Sequence, residues 1–188
     1  MALPVDWYPH TGDPTVIGWT ITVVYFVVMF LCYKAGMAAK RKDSGARRIS
    51  DSALWFALAG MLLALGINKQ LDLQTLLITL GRQMARLNGW YDLRREVQFG
   101  FVVVLAIFGV LSMIALSWWT AGQWRRYWPV LIGVTLLIIF VLIRSASFNS
   151  VDYFLGKWRV IGPFSMKYVV ELAGVLVVGL AALRDEHP

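Results

Sequence analysis

Glu171 is the one carboxylate well inside an apolar run of this chain. An ionisable group costs roughly 2.5 kcal/mol or more at the centre of a bilayer on insertion scales, so it faces a partner or water. Lys167, four residues earlier and one helical turn away, is the nearest cation, and a local Lys167–Glu171 ion pair is expected in preference to a proton relay. Lys69 lies in Asn68-Lys69-Gln70 at the end of another apolar block. It either snorkels to headgroups on its aliphatic stem or sits in a drier pocket, where desolvation lowers its pKa and makes it a base. Snorkelling is the expected state.

A second polar group is Arg144-Ser145-Ala146-Ser147-Phe148-Asn149-Ser150-Val151-Asp152. On a continued helix Ser145, Asn149 and Asp152 share one face and Arg144 and Phe148 a neighbouring one. Such a row binds headgroups or a partner, joins an ion-pair network near Lys69, or simply neutralises its neighbours. With the loop pair Arg94 and Arg95, these residues define a candidate rim: Lys69, Asp72, Arg94, Arg95, Arg144, Ser147, Asn149, Asp152 and Glu171. Its positive excess favours an anionic group such as a phosphate or carboxylate. A single pocket requires Lys69 and Arg144 within about 20 Å, a distance of a few helix diameters.

The elements that must position these residues follow from composition. Of 188 residues, 59% are hydrophobic and 15% charged, with mean hydropathy +0.63. Soluble domains run at about 45–50% apolar and a quarter charged. The excess falls in blocks near the ~20 residues a helix needs to cross hydrocarbon. A soluble globule, a disordered chain and a disulfide scaffold are excluded, and the single Cys32 leaves no intramolecular disulfide. The expected fold is all-α: an integral membrane bundle of about five transmembrane helices at 16–33, 49–67, 97–118, 129–143 and 168–183, one polytopic domain. Pro129 suits a first helical turn.

Between the second and third spans, Leu73, Leu76, Leu77, Leu80, Met84 and Leu87 recur on one face of a helix, with Asp72 to cap it and Gly89 to end it. This predicts an amphipathic helix over 72–88, lying in the interface or packed on the span ends. Most tryptophans fall near span ends, as an aromatic belt would place them.

The net charge of +7 reads as membrane orientation and attraction to anionic headgroups, not as nucleic-acid binding. No cleavable signal peptide is expected, because the first fifteen residues have no basic region. Nine basic residues fall on each side of the spans. The six packed directly behind the first span break the tie, so the N-terminus is placed outside and the C-terminus in the cytoplasm.

Only His10 and His187 exist, on opposite sides by this topology, which argues against bis-histidine haem and a histidine zinc site; no metal or cofactor is expected. Phosphate-loop, dinucleotide, nucleophile-elbow and zincin motifs are absent. A serine–lysine pair such as Ser147 with Lys69 remains open. Transport has little support, since no inverted repeat is visible.

The segments Gly66-Ile67-Asn68-Lys69-Gln70-Leu71-Asp72-Leu73-Gln74 and Arg144 to Asp152 resemble segments of small multi-pass bacterial membrane proteins of no assigned function. The resemblance covers about a third of the chain and implies no activity. The expected role is non-catalytic: an accessory subunit or lipid-binding component of a bacterial inner membrane. Its expected partners are anionic lipid headgroups, a larger membrane complex or further copies of the chain. The alternative is a membrane enzyme acting on a lipid or lipid-linked anionic substrate, with Lys69, Asp72, Arg144, Ser147 and Asp152 as candidates.

Overall fold

The computed structural model describes residues 13–42, 51–71, 94–146, 159–161 and 164–186. They form α1 (Val16–Lys42), α2 (Asp51–Leu71), α3 (Arg94–Thr120), α4 (Trp124–Ala146) and α5 (Met166–Glu186). Ahead of α5, the short strands β1 (Arg159–Ile161) and β2 (Phe164–Ser165) pair antiparallel. The protein is helical in all its larger elements. Among the described residues, three stretches are long and apolar enough to cross a membrane: Val16–Arg41, Asp51–Leu71 and the 46-residue Gly100–Ser145, which runs through α3 and α4. The amphipathic helix expected over 72–88 lies outside the described residues.

Each helix starts or ends differently from its expected bounds. Thr15 caps α1: its Oγ1 accepts the Gly18 N–H at 3.0 Å. The helix continues past Tyr33 to Lys42, because Ala35, Met37, Ala38, Ala39, Lys40 and Arg41 are strong helix formers. Gly36 within this extension is a contact point, since a Cβ there would lie 2.9 Å from the Phe56 ring of α2. Asp51 is the first residue of α2, which extends to Leu71 and so contains Lys69. A 3-10 turn at Ala121–Gln123 joins α3 to α4, so α4 begins at Trp124 and Pro129 lies inside it instead of in its first turn. Without an N–H, Pro129 cannot bond back to Arg125.

The core sits among α1, α2, α4 and α5. Helix periodicity brings Tyr25, Val28 and Cys32 of α1 to it, with Leu58 and Leu62 of α2, Val130, Val134 and Leu137 of α4, and Val175 and Val178 of α5. Two glycines set the α4–α5 distance: a Cβ on Gly133 would meet Val178 at 2.6 Å and the Gly174 carbonyl at 3.0 Å. α3 packs on α4 and leaves Phe101, Val104, Ile107, Phe108, Leu111 and Ile114 exposed. Trp55 departs from the aromatic-belt expectation. It is fully buried, tilted against Tyr127 with ring centroids 6.2 Å apart.

Candidate functional site

Lys69 follows Leu58, Leu62 and Gly66 along the inward face of α2, at i, i+4, i+8 and i+11. Glu171 begins the equivalent face of α5, followed by Val175, Val178 and Ala182. Each charge is therefore carried into the core by the same periodicity that buries the apolar residues. Lys69 Nζ donates to both carboxylate oxygens of Glu171, at 3.0 and 2.9 Å. The two side chains are 3% and 1% exposed. The pair corrects one expectation, since Lys69 does not snorkel, and it gives Glu171 a partner from α2. The side chain of Lys167, the partner expected on its own helix, lies outside the described residues.

The pair forms the floor of a small cavity of about 60 Å³, lined also by Tyr25, Leu65, Asn68, Phe140, Val141 and Arg144. Tyr25 is buried, and its hydroxyl is placed to donate to Glu171. Asn68, Leu65, Val141 and Arg144 are half-buried and form the mouth, between α2 and α4. Gly66 lets α1 approach here, since a Cβ on it would lie 3.2 Å from Tyr25. A volume of this size takes a few water-sized groups.

Above the pair, Lys69 Nζ lies 5.6 Å from the Tyr168 ring centroid, within cation–π range. The Tyr168 hydroxyl donates to Asp13 Oδ2 at 3.0 Å, and Thr15 Oγ1 donates to Asp13 Oδ1 at 2.6 Å. Burial pushes the Asp13 carboxyl up, but the bonds from Thr15 and Tyr168 and the charge of Lys69 together hold it below its ordinary value. Beside it, Gln70 Nε2 donates to Thr22 Oγ1 at 2.9 Å, which in turn donates to the Gly18 carbonyl. The start of α1, the end of α2 and the start of α5 are thus tied together at one end of the bundle.

A second polar cluster closes the opposite end. Arg126 Nε donates to Asp185 Oδ1, and Arg126 Nη1 to Asp51 Oδ2 at 3.1 Å and Gln123 Oε1 at 3.2 Å. Trp55 Nε1 donates to Asp185 Oδ2 at 2.9 Å. This cluster joins α2, α4 and α5, and nothing in the sequence spacing marks it.

Of the nine rim residues, the structure brings Lys69, Arg144 and Glu171 to one cavity. Asp72, Ser147, Asn149 and Asp152 lie outside the described residues. Arg94 and Arg95 open α3, and their side chains are likewise outside. Tyr25, Asn68 and Tyr168 were not singled out as rim members; their place on the inward helix faces beside Glu171 and Lys69 is the signal that could have found them. Among the described residues no three His, Cys, Asp or Glu side chains come together as a metal site would need. No protein-family model, curated protein or solved structure matches the chain.

Proposed function

We propose that the chain is a non-catalytic, five-span protein of a bacterial inner membrane that binds the headgroup of a membrane phospholipid. The observation that carries this reading is the cavity between α2 and α4, whose floor is the buried Lys69–Glu171 pair and whose mouth holds Arg144 and Asn68. Lys69 stands two residues from the end of α2 and Arg144 two from the end of α4. At 1.5 Å per residue both lie about 3 Å from the last described turn of their helices, near the same end of the bundle.

Five crossings are supported by three facts. The 46-residue apolar stretch is more than twice the length of a single crossing and is broken by a turn at Ala121–Gln123. The 21-residue α5 shares the core with α1, α2 and α4. The bare apolar face of α3 suits lipid tails. With the basic segment behind α1 in the cytoplasm, the cavity faces outward.

The test is native mass determination after mild extraction from a bacterial membrane, comparing the natural chain with Leu65→Trp, which fills the mouth. The natural chain should retain phospholipid, and the variant should lose most of it. Equal retention would overturn the reading. A stable heteromeric assembly with no cavity-dependent lipid would instead favour the accessory subunit.

A further inference from the structure

We infer that the cavity selects a zwitterionic phospholipid whose ammonium bears N–H donors, and that a purely anionic headgroup is the poorer ligand; this rests on the lipid-binding reading above. Positive side chains outnumber negative ones around the cavity, which by count alone favours an anion. The geometry assigns the charges differently. Both oxygens of Glu171 are engaged by the single ammonium of Lys69, so the floor is neutral as a unit. An anion brought to that floor meets the Glu171 carboxylate together with Lys69.

A carboxylate offers about four acceptor sites. Lys69 takes two and the Tyr25 hydroxyl one, which leaves one for a primary ammonium entering from the mouth without breaking the existing pair. It would come in beside the Tyr25 ring, a face that attracts cations. The phosphate attached to it then stays at the mouth. There Arg144, with five donors in a planar fork, and the Asn68 amide accommodate it while Arg144 keeps its other interactions. The acyl chains leave between Leu65 and Val141 into the surrounding lipid.

A cavity of about 60 Å³ has room for an aminoethyl group, with the phosphate outside it. A trimethylammonium group has no N–H to give Glu171. A glycerol headgroup brings hydroxyl donors but no positive charge to balance the carboxylate. The selected class is therefore a phosphate with a primary ammonium two carbons away, as in phosphatidylethanolamine.

The full chain, purified in mild detergent, is titrated in native mass spectrometry with phosphatidylethanolamine, phosphatidylglycerol and phosphatidylcholine of identical acyl chains. Phosphatidylethanolamine should bind at least about tenfold more tightly than either of the others, a 1.4 kcal/mol preference. Glu171→Gln should bring it within about twofold of phosphatidylglycerol. If that variant does not fold, Phe140→Trp, which narrows the cavity without touching a charge, should erase the preference instead. Equal or tighter binding of phosphatidylglycerol by the natural chain overturns the zwitterion assignment and leaves the lipid site standing. Binding of none of the three overturns the lipid site itself.

Discussion

Lys69 and Glu171 stand 102 positions apart in the chain, and meet in a bidentate ion pair that is almost wholly shielded from solvent. The contact ties the end of α2 to the start of α5, two helices with few other contacts between their backbones. A buried pair is weak evidence for stability as such, because desolvating both ions offsets their attraction. Removing one partner is a different matter, since the other charge is left buried alone.

That asymmetry gives the first prediction. Lys69→Met or Glu171→Leu alone should destabilise the protein by about 3–5 kcal/mol, the range for breaking a buried pair. The double variant Lys69→Met/Glu171→Leu should recover most of the loss, because no unpaired charge remains. Thermal unfolding of the four proteins in one detergent reads this directly. A double variant as unstable as the sum of the singles would mean the two residues do not act as a pair.

Glycines with different neighbours should respond in opposite directions. Gly133→Ala in α4 places a Cβ 2.6 Å from Val178 and 3.0 Å from the Gly174 carbonyl, so the α4–α5 contact must open. A loss of about 1–3 kcal/mol is expected for such overpacking. Gly60→Ala in α2 meets nothing within 4 Å, and should gain up to about 1 kcal/mol from helix propensity. Midpoints of unfolding for the two variants should fall on either side of the natural protein. A neutral Gly133→Ala would show that the two helices are not in tight contact.

The apolar blocks carried most of the fold, because length and hydropathy alone mark a helix that must be buried or lipid-facing. Helix ends were harder. Nothing in composition stops α1 at Tyr33 when a run of good helix formers follows, and Pro129 reads as a helix start unless the turn at Ala121–Gln123 is known. The site was half legible. Glu171 stands out by type, but spacing along its own helix points only to Lys167 and not to Lys69, 102 positions away. The contact with Lys69 has no counterpart in sequence spacing, because inward faces bring together charges that are far apart along the chain. Extending the inward stripe of α5 from Ala182 back through Val178 and Val175 to Glu171, and that of α2 from Leu58 to Lys69, aims both at the core. The cluster of Arg126, Asp51, Asp185 and Trp55 depends on three helix ends meeting and has no local signature.

At that end of the bundle, the Trp55 indole donates a 2.9 Å bond to a carboxylate that also binds Arg126. Trp55→Phe removes the donor while leaving an aromatic ring against Tyr127. A cost of about 1.5–3 kcal/mol is expected for a lost bond to a charged group, on top of the smaller ring. A double-mutant cycle with Asp185→Asn should give a coupling of about 0.5–3 kcal/mol. Additive losses would separate Trp55 from the Arg126 cluster.

The acid limb of the stability profile should carry the mark of Asp13. Thr15 and Tyr168 donate to its carboxylate, and these bonds with the charge of Lys69 outweigh burial, so its folded pKa lies below the ordinary 3.8. Between the two values the unfolded chain binds the proton more readily than the folded one, so folding weakens as pH falls. The contribution is fully present above about pH 4 and is lost as pH drops through the folded value. Unfolding midpoints of the natural protein and Asp13→Asn, measured in one detergent from pH 6 to pH 2, isolate it, because every other acid is common to both proteins. The gap between the two proteins should be widest at pH 6 and close as pH falls below about 4. A gap that stays constant to pH 2 would mean that Asp13 gains nothing from its partners when the chain folds.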